Sequence, residues 1–118
     1  MMYKILAAAA LASTLTAADT WTGFLVDARC YDSEERNARV WDLETNHDRD
    51  YEVRVCTPSS KTKAYKLVDR NGQSVRLDPA AGAKVMPLLQ ANHSKPLPVT
   101  IQGSESGKML QVDSISVR

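Results

Sequence analysis

The chain has 118 residues, with 15 Lys and Arg against 14 Asp and Glu. That length predicts one small domain, and the near-balance of charge lacks the broad cationic excess of a nucleic-acid footprint. After the first eighteen residues no segment is long and apolar enough to span a bilayer.

Residues 1–18, "MMYKILAAAALASTLTAA", start with the basic Lys4, continue through an apolar run from Ile5 to Leu15 and end in the small residues Thr16-Ala17-Ala18. This is the layout of a cleaved secretory signal peptide. The run falls short of the roughly 20 apolar residues that a spanning helix needs. The expectation is export to the periplasm or beyond, with a signal peptide over 1–18 and a single domain over 19–118. Removing 1–18 leaves 100 formally neutral residues, whose charge is segregated. Asp19 to Thr57 carries 10 acidic and 5 basic residues, whereas Pro58 to Arg118 carries 4 acidic and 9 basic. This segregation predicts charge attraction within the fold or a polar surface.

Thr20 to Asp27, "TWTGFLVD", reads as a strand that is apolar on both faces, with Trp21 in the core and Gly23 where a strongly coiled strand bends. Cys30 and Cys56 follow. An even cysteine pair in a small exported chain predicts a disulfide, Cys30–Cys56. A nucleophilic thiol lacks a Cys/His signature here, and a zinc module lacks its paired spacing. The connection closed by the bridge contains "DLETNHDRDYE", with an oxygen-bearing side chain at every second position from Asp42 to Glu52. It does not fit a helix-loop-helix calcium loop, which needs Gly at its sixth position and Glu at its twelfth. The expected conformation is a hydrated connection, partly strand-like, with Arg39, Arg49 and Arg54 offsetting its charge. Asp48 and Asp50 are the weak candidates for a cation, and His47 reads as an exposed loop residue.

Lys61, Lys63 and Lys66 form a small basic cluster, expected to be a solvated strand edge. "KAYKLVDRNGQSVRLD" is a hairpin. A three-residue loop, Arg70-Asn71-Gly72 with Gly72 left-handed, pairs Leu67 with Val75 and Tyr65 with Leu77, which puts all four apolar residues on one face. "DPAAGAKVMPLLQAN" predicts a short helix from near Lys84, with Pro87 in its first turn. In "LPVTIQG", Leu97, Val99 and Ile101 point inward. "KMLQVDSISVR" changes phase between Val112 and Ile115, which predicts either a bulge near Asp113 or a strand buried on both sides in turn. Asn92-His93-Ser94 is a glycosylation acceptor by pattern only.

The expected architecture is mainly β: a small five-stranded OB-like Greek-key barrel with one short helix between the third and fourth strands, and a disulfide-closed insert over 30–56. The segments "WTGFLVDARCYD", "CTPSSKTKAYKL" and "VRLDPAAGAK" resemble a family of small exported bacterial proteins of uncharacterised function. The resemblance rests on Trp21, Gly23, Leu25, Val26, Asp27 and Cys30; on Cys56, Pro58, Ser60, Thr62, Ala64 and Tyr65; and on Val75, Leu77, Asp78, Gly82 and Lys84. It implies an exported barrel-like domain with two cysteines and transfers no catalytic residue.

The functional expectation is a non-enzymatic binding or structural module with no cofactor, acting on a protein or oligosaccharide ligand and not on nucleic acid. Trp41 and Tyr65 are the candidate ligand-binding residues. The alternatives are a hydrolase-like enzyme with its site in acidic residues 42–52, or a weak cation-binding module. An enzyme requires a concave pocket of convergent polar groups, whereas a small binding module presents a shallow groove with aromatics.

Overall fold

The computed structural model describes residues 18–37 and 45–118, without the side chains of 36–37 and 45–48. The expected signal peptide and Trp41 therefore lie outside the described residues. The elements in chain order are β1 (Asp19–Asp27), α1 (Ala28–Asn37), α2 (Thr45–Val55), β2 (Tyr65–Val68) and β3 (Ser74–Leu77). A 3-10 turn (Pro79–Ala81), α3 (Gly82–Ala91), β4 (Leu97–Ser106) and β5 (Met109–Val117) complete them. The structure is mainly β, and its five strands close in a ring in the order β1-β2-β3-β5-β4. All neighbours are antiparallel except β3 and β5, which run parallel over Arg76↔Met109 and Leu77↔Leu110.

Side chains alternate across a strand, and that alternation builds the ring's interior. Leu25, Leu67, Leu77, Leu97, Val99, Ile101 and Leu110 are all buried in one cluster. The hairpin has the expected register, Leu67↔Val75, and the expected three-residue loop. Asp69 N–H donates to Gln73 O at 2.9 Å, and Gly72 sits at φ 83°. The phase change in β5 is a bulge: Gln102 pairs with Ser114 and Gly103 with Val112, leaving Asp113 as the extra residue. One extra residue returns Ile115 and Val117 to the side already taken by Leu110 and Val112, so all four pack in or against the interior cluster.

Ala81 and Val85 plug one end of the ring and Leu89 packs against it. The helix starts at Gly82 and not near Lys84, so Pro87 lies inside α3 instead of in its first turn. A proline there deprives the Ala83 carbonyl of its helical donor, while the buried Val85 holds the first turn to the ring regardless.

The larger correction concerns the insert. Where a partly strand-like connection was expected, α1 and α2 are two helices, giving three α-helices among the described residues where one was predicted. They pack on the outer face of β1 and β2 around Val26, Tyr31, Val53, Cys56 and Val68, with Phe24 and Cys30 at the margin. This explains why β1 is apolar on both faces: Leu25 faces the ring's interior, Phe24 and Val26 face the helices. Asp27 starts α1 by accepting the Cys30 N–H on Oδ1 at 3.1 Å, the N-cap role that carboxylates favour.

Candidate functional site

β1 pairs with β4 from Asp19 to Leu25 but with β2 only from Phe24 to Asp27. Its first half is therefore laddered on one edge alone. The cause is the brevity of β2, which ends at Val68 because Asp69 begins the turn: its Oδ1 accepts the N–H groups of Asn71 and Gln73, each at 2.9 Å. The strands converge at Gly23, where a Cβ would lie 2.4 Å from the Val68 carbonyl oxygen. Only glycine permits that approach. Above it a cleft of about 390 Å³ opens between β1, the hairpin and the far end of β4, lined by Trp21, Thr22, Asp69, Gln73, Val75 and Glu105 among others. Trp21, expected in the core, is half-buried against the interior cluster and donates its indole N–H to Gly103 O at 3.1 Å.

A second cleft, of about 580 Å³, lies over Lys66, Arg76 and the β4–β5 turn with Glu105 and Lys108. The two clefts share Ser74, Val75 and Glu105 in their walls and so adjoin at β3. At its side Asp32 of α1 binds Lys66 Nζ at 2.5 Å and Arg76 Nη2 at 3.2 Å. This is the expected attraction between the acidic first half and the basic second half. It also corrects the reading of Lys66 as part of a solvated edge, because its side chain is only 17% exposed, whereas Lys61 and Lys63 are exposed as expected.

A third cleft, of about 330 Å³, sits at the opposite end between Pro58, Ser59, Met86, Leu89, His93 and Leu97. Its wall is held by a clasp. Thr62 donates its hydroxyl to Asp27 Oδ2 at 2.8 Å and accepts the Ser59 N–H at 3.0 Å, and Ala28 N–H donates to Ala64 O at 2.9 Å. Asp27 and Thr62, both prominent in the sequence patterns, thus have a structural task at the junction of β1, α1 and the 57–64 segment.

Cys30 and Cys56 form the disulfide, with Cα atoms 5.5 Å apart. Tyr65 is buried in the ring, 5% exposed, with its hydroxyl donating to Thr62 O at 3.4 Å, and burial followed by the nearby Asp27 charge raises its pKa. Tyr31 is buried between the helices and the ring. Burial first, then the Glu35 and Glu52 charges, push it up to about 12, against the opposing pull of Arg49. In the acidic stretch, now helical from Thr45, Asp50 is exposed and paired with Arg49 at 3.1 Å, and Arg54 lies over the Tyr51 ring. The side chains of His47 and Asp48 lie outside the described residues. Among the described residues no group of three or more His, Cys, Asp or Glu is placed to hold a metal, and no helix is long and apolar enough to cross a membrane.

Asp32, Arg76, Glu105 and Lys108 were not singled out in the sequence. The signal available for Arg76 was its place on the hairpin face opposite Val75 and Leu77, beside Lys66. Asp32 carried no such signal, since its partners lie 34 and 44 residues away. Compared with family models, with curated proteins and with solved structures, the chain gives no match.

Proposed function

We propose that the protein is an exported OB-type module that binds an extended ligand, without chemistry, in the groove across β3. The OB reading is supported by the strand order β1-β2-β3-β5-β4, by the lone parallel pair β3–β5 and by a helix between β3 and β4. Export is supported by the apolar N-terminal run and by the disulfide. The observation that carries the binding reading is the adjacency of the two clefts, whose walls share Ser74, Val75 and Glu105. A groove spanning from β1 to the β4–β5 turn suits a chain-like ligand better than a compact one, and OB barrels bind oligomers across their second and third strands. The rigid ring beneath it pre-orders the contacts, which lowers the entropy lost on binding.

Amide shift mapping with a panel of extended peptides and neutral and acidic oligosaccharides tests this reading. At least one class should perturb Thr20–Thr22, Ser74–Arg76 and Glu105–Lys108 together. No perturbation by any class, or shifts confined to the His93 end, would overturn it.

A further inference from the structure

We propose that the groove takes an acidic oligosaccharide in which a neutral sugar adjoins a carboxylate-bearing one, an inference that rests on the binding reading above. The two halves of the groove differ in kind. The β1 half has one aromatic, Trp21, set among hydroxyl, amide and carboxylate groups from Thr22, Gln73, Asp69 and Glu105, with no cation in its lining. An indole presents a large apolar body, which suits the flat C–H face of a pyranose. Carboxylate and amide oxygens beside it accept from the ring hydroxyls. The Trp21 N–H is already committed to Gly103, which fixes the ring in place.

The other half is cationic. Lys66, Arg76 and Lys108 line it; Asp32 and Glu105, the latter shared with the first cleft, offset part of their charge and leave the cations in excess. Asp32 holds Arg76 through Nη2. A guanidinium carries five N–H donors, which leaves capacity for a second carboxylate. Lys108 on the β4–β5 turn faces the same cleft. A ligand with its neutral unit on Trp21 and its anionic unit at Arg76 satisfies both halves.

The same asymmetry disfavours the competing polymers. A nucleic-acid strand carries a phosphate at every unit, and Asp69 and Glu105 repel it at the tryptophan, where stacking would otherwise help. A peptide adding as a strand needs a continuous edge. The open edge of β1 ends at Gly23, where β1 closes onto Val68, so only Asp19–Gly23 is offered.

Trp21 and Trp41 are the two tryptophans of the chain, so Trp41→Phe leaves Trp21 as the sole tryptophan, excited selectively over the tyrosines. That protein is titrated with a hyaluronan tetrasaccharide, which alternates N-acetylglucosamine and glucuronate, with neutral chitotetraose, with fully acidic tetragalacturonate, with an eight-nucleotide single strand and with extended peptides. The expected result is a Trp21 emission change with hyaluronan and an affinity at least tenfold above that for chitotetraose. Arg76→Gln with Lys108→Gln should remove that tenfold preference and leave the folded spectrum intact. Absence of any response to hyaluronan, equal affinity for the neutral sugar, or a preference that survives the double substitution overturns the proposal. Peptide or nucleotide binding in place of sugar, mapped to the groove, overturns it too while leaving the binding reading standing.

Discussion

The ring and the two helices on its outside are stabilised by different means. Among the described residues the ring closes around eleven buried ones, drawn from all five strands, the 3-10 turn and α3. The helical cover shares five buried residues with the sheet among the described side chains, two of which, Val26 and Val68, belong to the strands themselves. That core is smaller than the ring's, and the cover adds a covalent tie from Cys30 in the first turn of α1 to Cys56 just beyond α2. Strand alternation suffices for the ring, whereas the cover depends on the bridge. Lys66 and Arg76, paired with Asp32, join cover to groove, so the state of the helices bears on the shape of the binding face.

Removing the bridge tests this contrast most severely. Closing a loop of 26 residues is worth about 3.5 kcal/mol in the chain-entropy model. Cys30→Ser with Cys56→Ser should lower stability by that order in chemical denaturation. Amide exchange should accelerate first in α1 and α2 and much less in β4 and β5. Uniform acceleration across ring and cover would mean that the two are one cooperative unit.

Alkaline pH probes the cover through Tyr31. Its folded pKa, about 12, exceeds the ordinary value of 10.0, because burial disfavours the phenolate. The stabilisation is therefore fully present below about pH 10 and is lost as pH rises towards 12. A shift of that size corresponds to at most roughly 3 kcal/mol. Tyr31→Phe should flatten the fall in stability between pH 10 and 12, relative to the native chain, and an unchanged slope would remove Tyr31 from the account.

How much was legible in the sequence follows the same division. β4 and β5 announced themselves because Leu97, Val99 and Ile101 alternate and because the phase slip near Asp113 left two readings, a bulge or burial on both sides in turn, of which the bulge is present. The helices were hidden. α1 buries Ala28 and Tyr31, and α2 buries Val53 among its described side chains, too few for an apolar stripe at helical spacing. The every-second-residue oxygens of Asp42 to Glu52 imitated a strand period, while most of that stretch forms a helix whose polar residues need no pattern. Asp27 as N-cap was the one helical signal on offer. The groove was legible only in part: Trp21 stood out by type, but its companions come together through the divergence of β1 from β2, which depends on where β2 stops.

The smallest expected effect lies in the ring, at the hairpin that bounds the groove. Gly72 adopts φ 83°, a region that strains a branched side chain, and a Cβ built there would meet nothing within 4 Å. Space is therefore not the issue, and any cost of Gly72→Val is backbone conformation alone. That cost should be on the order of 1 kcal/mol. Gly72→Asn should recover part of it, since asparagine tolerates the left-handed region. Unlike loss of the bridge, this substitution should leave exchange in α1 and α2 unchanged, because a Cβ at Gly72 meets nothing within 4 Å and so touches neither helix. If the denaturation midpoint does not move for valine, the left-handed turn is not what fixes the hairpin. The register would then have to come from the pairing of Leu67 with Val75 inside the ring.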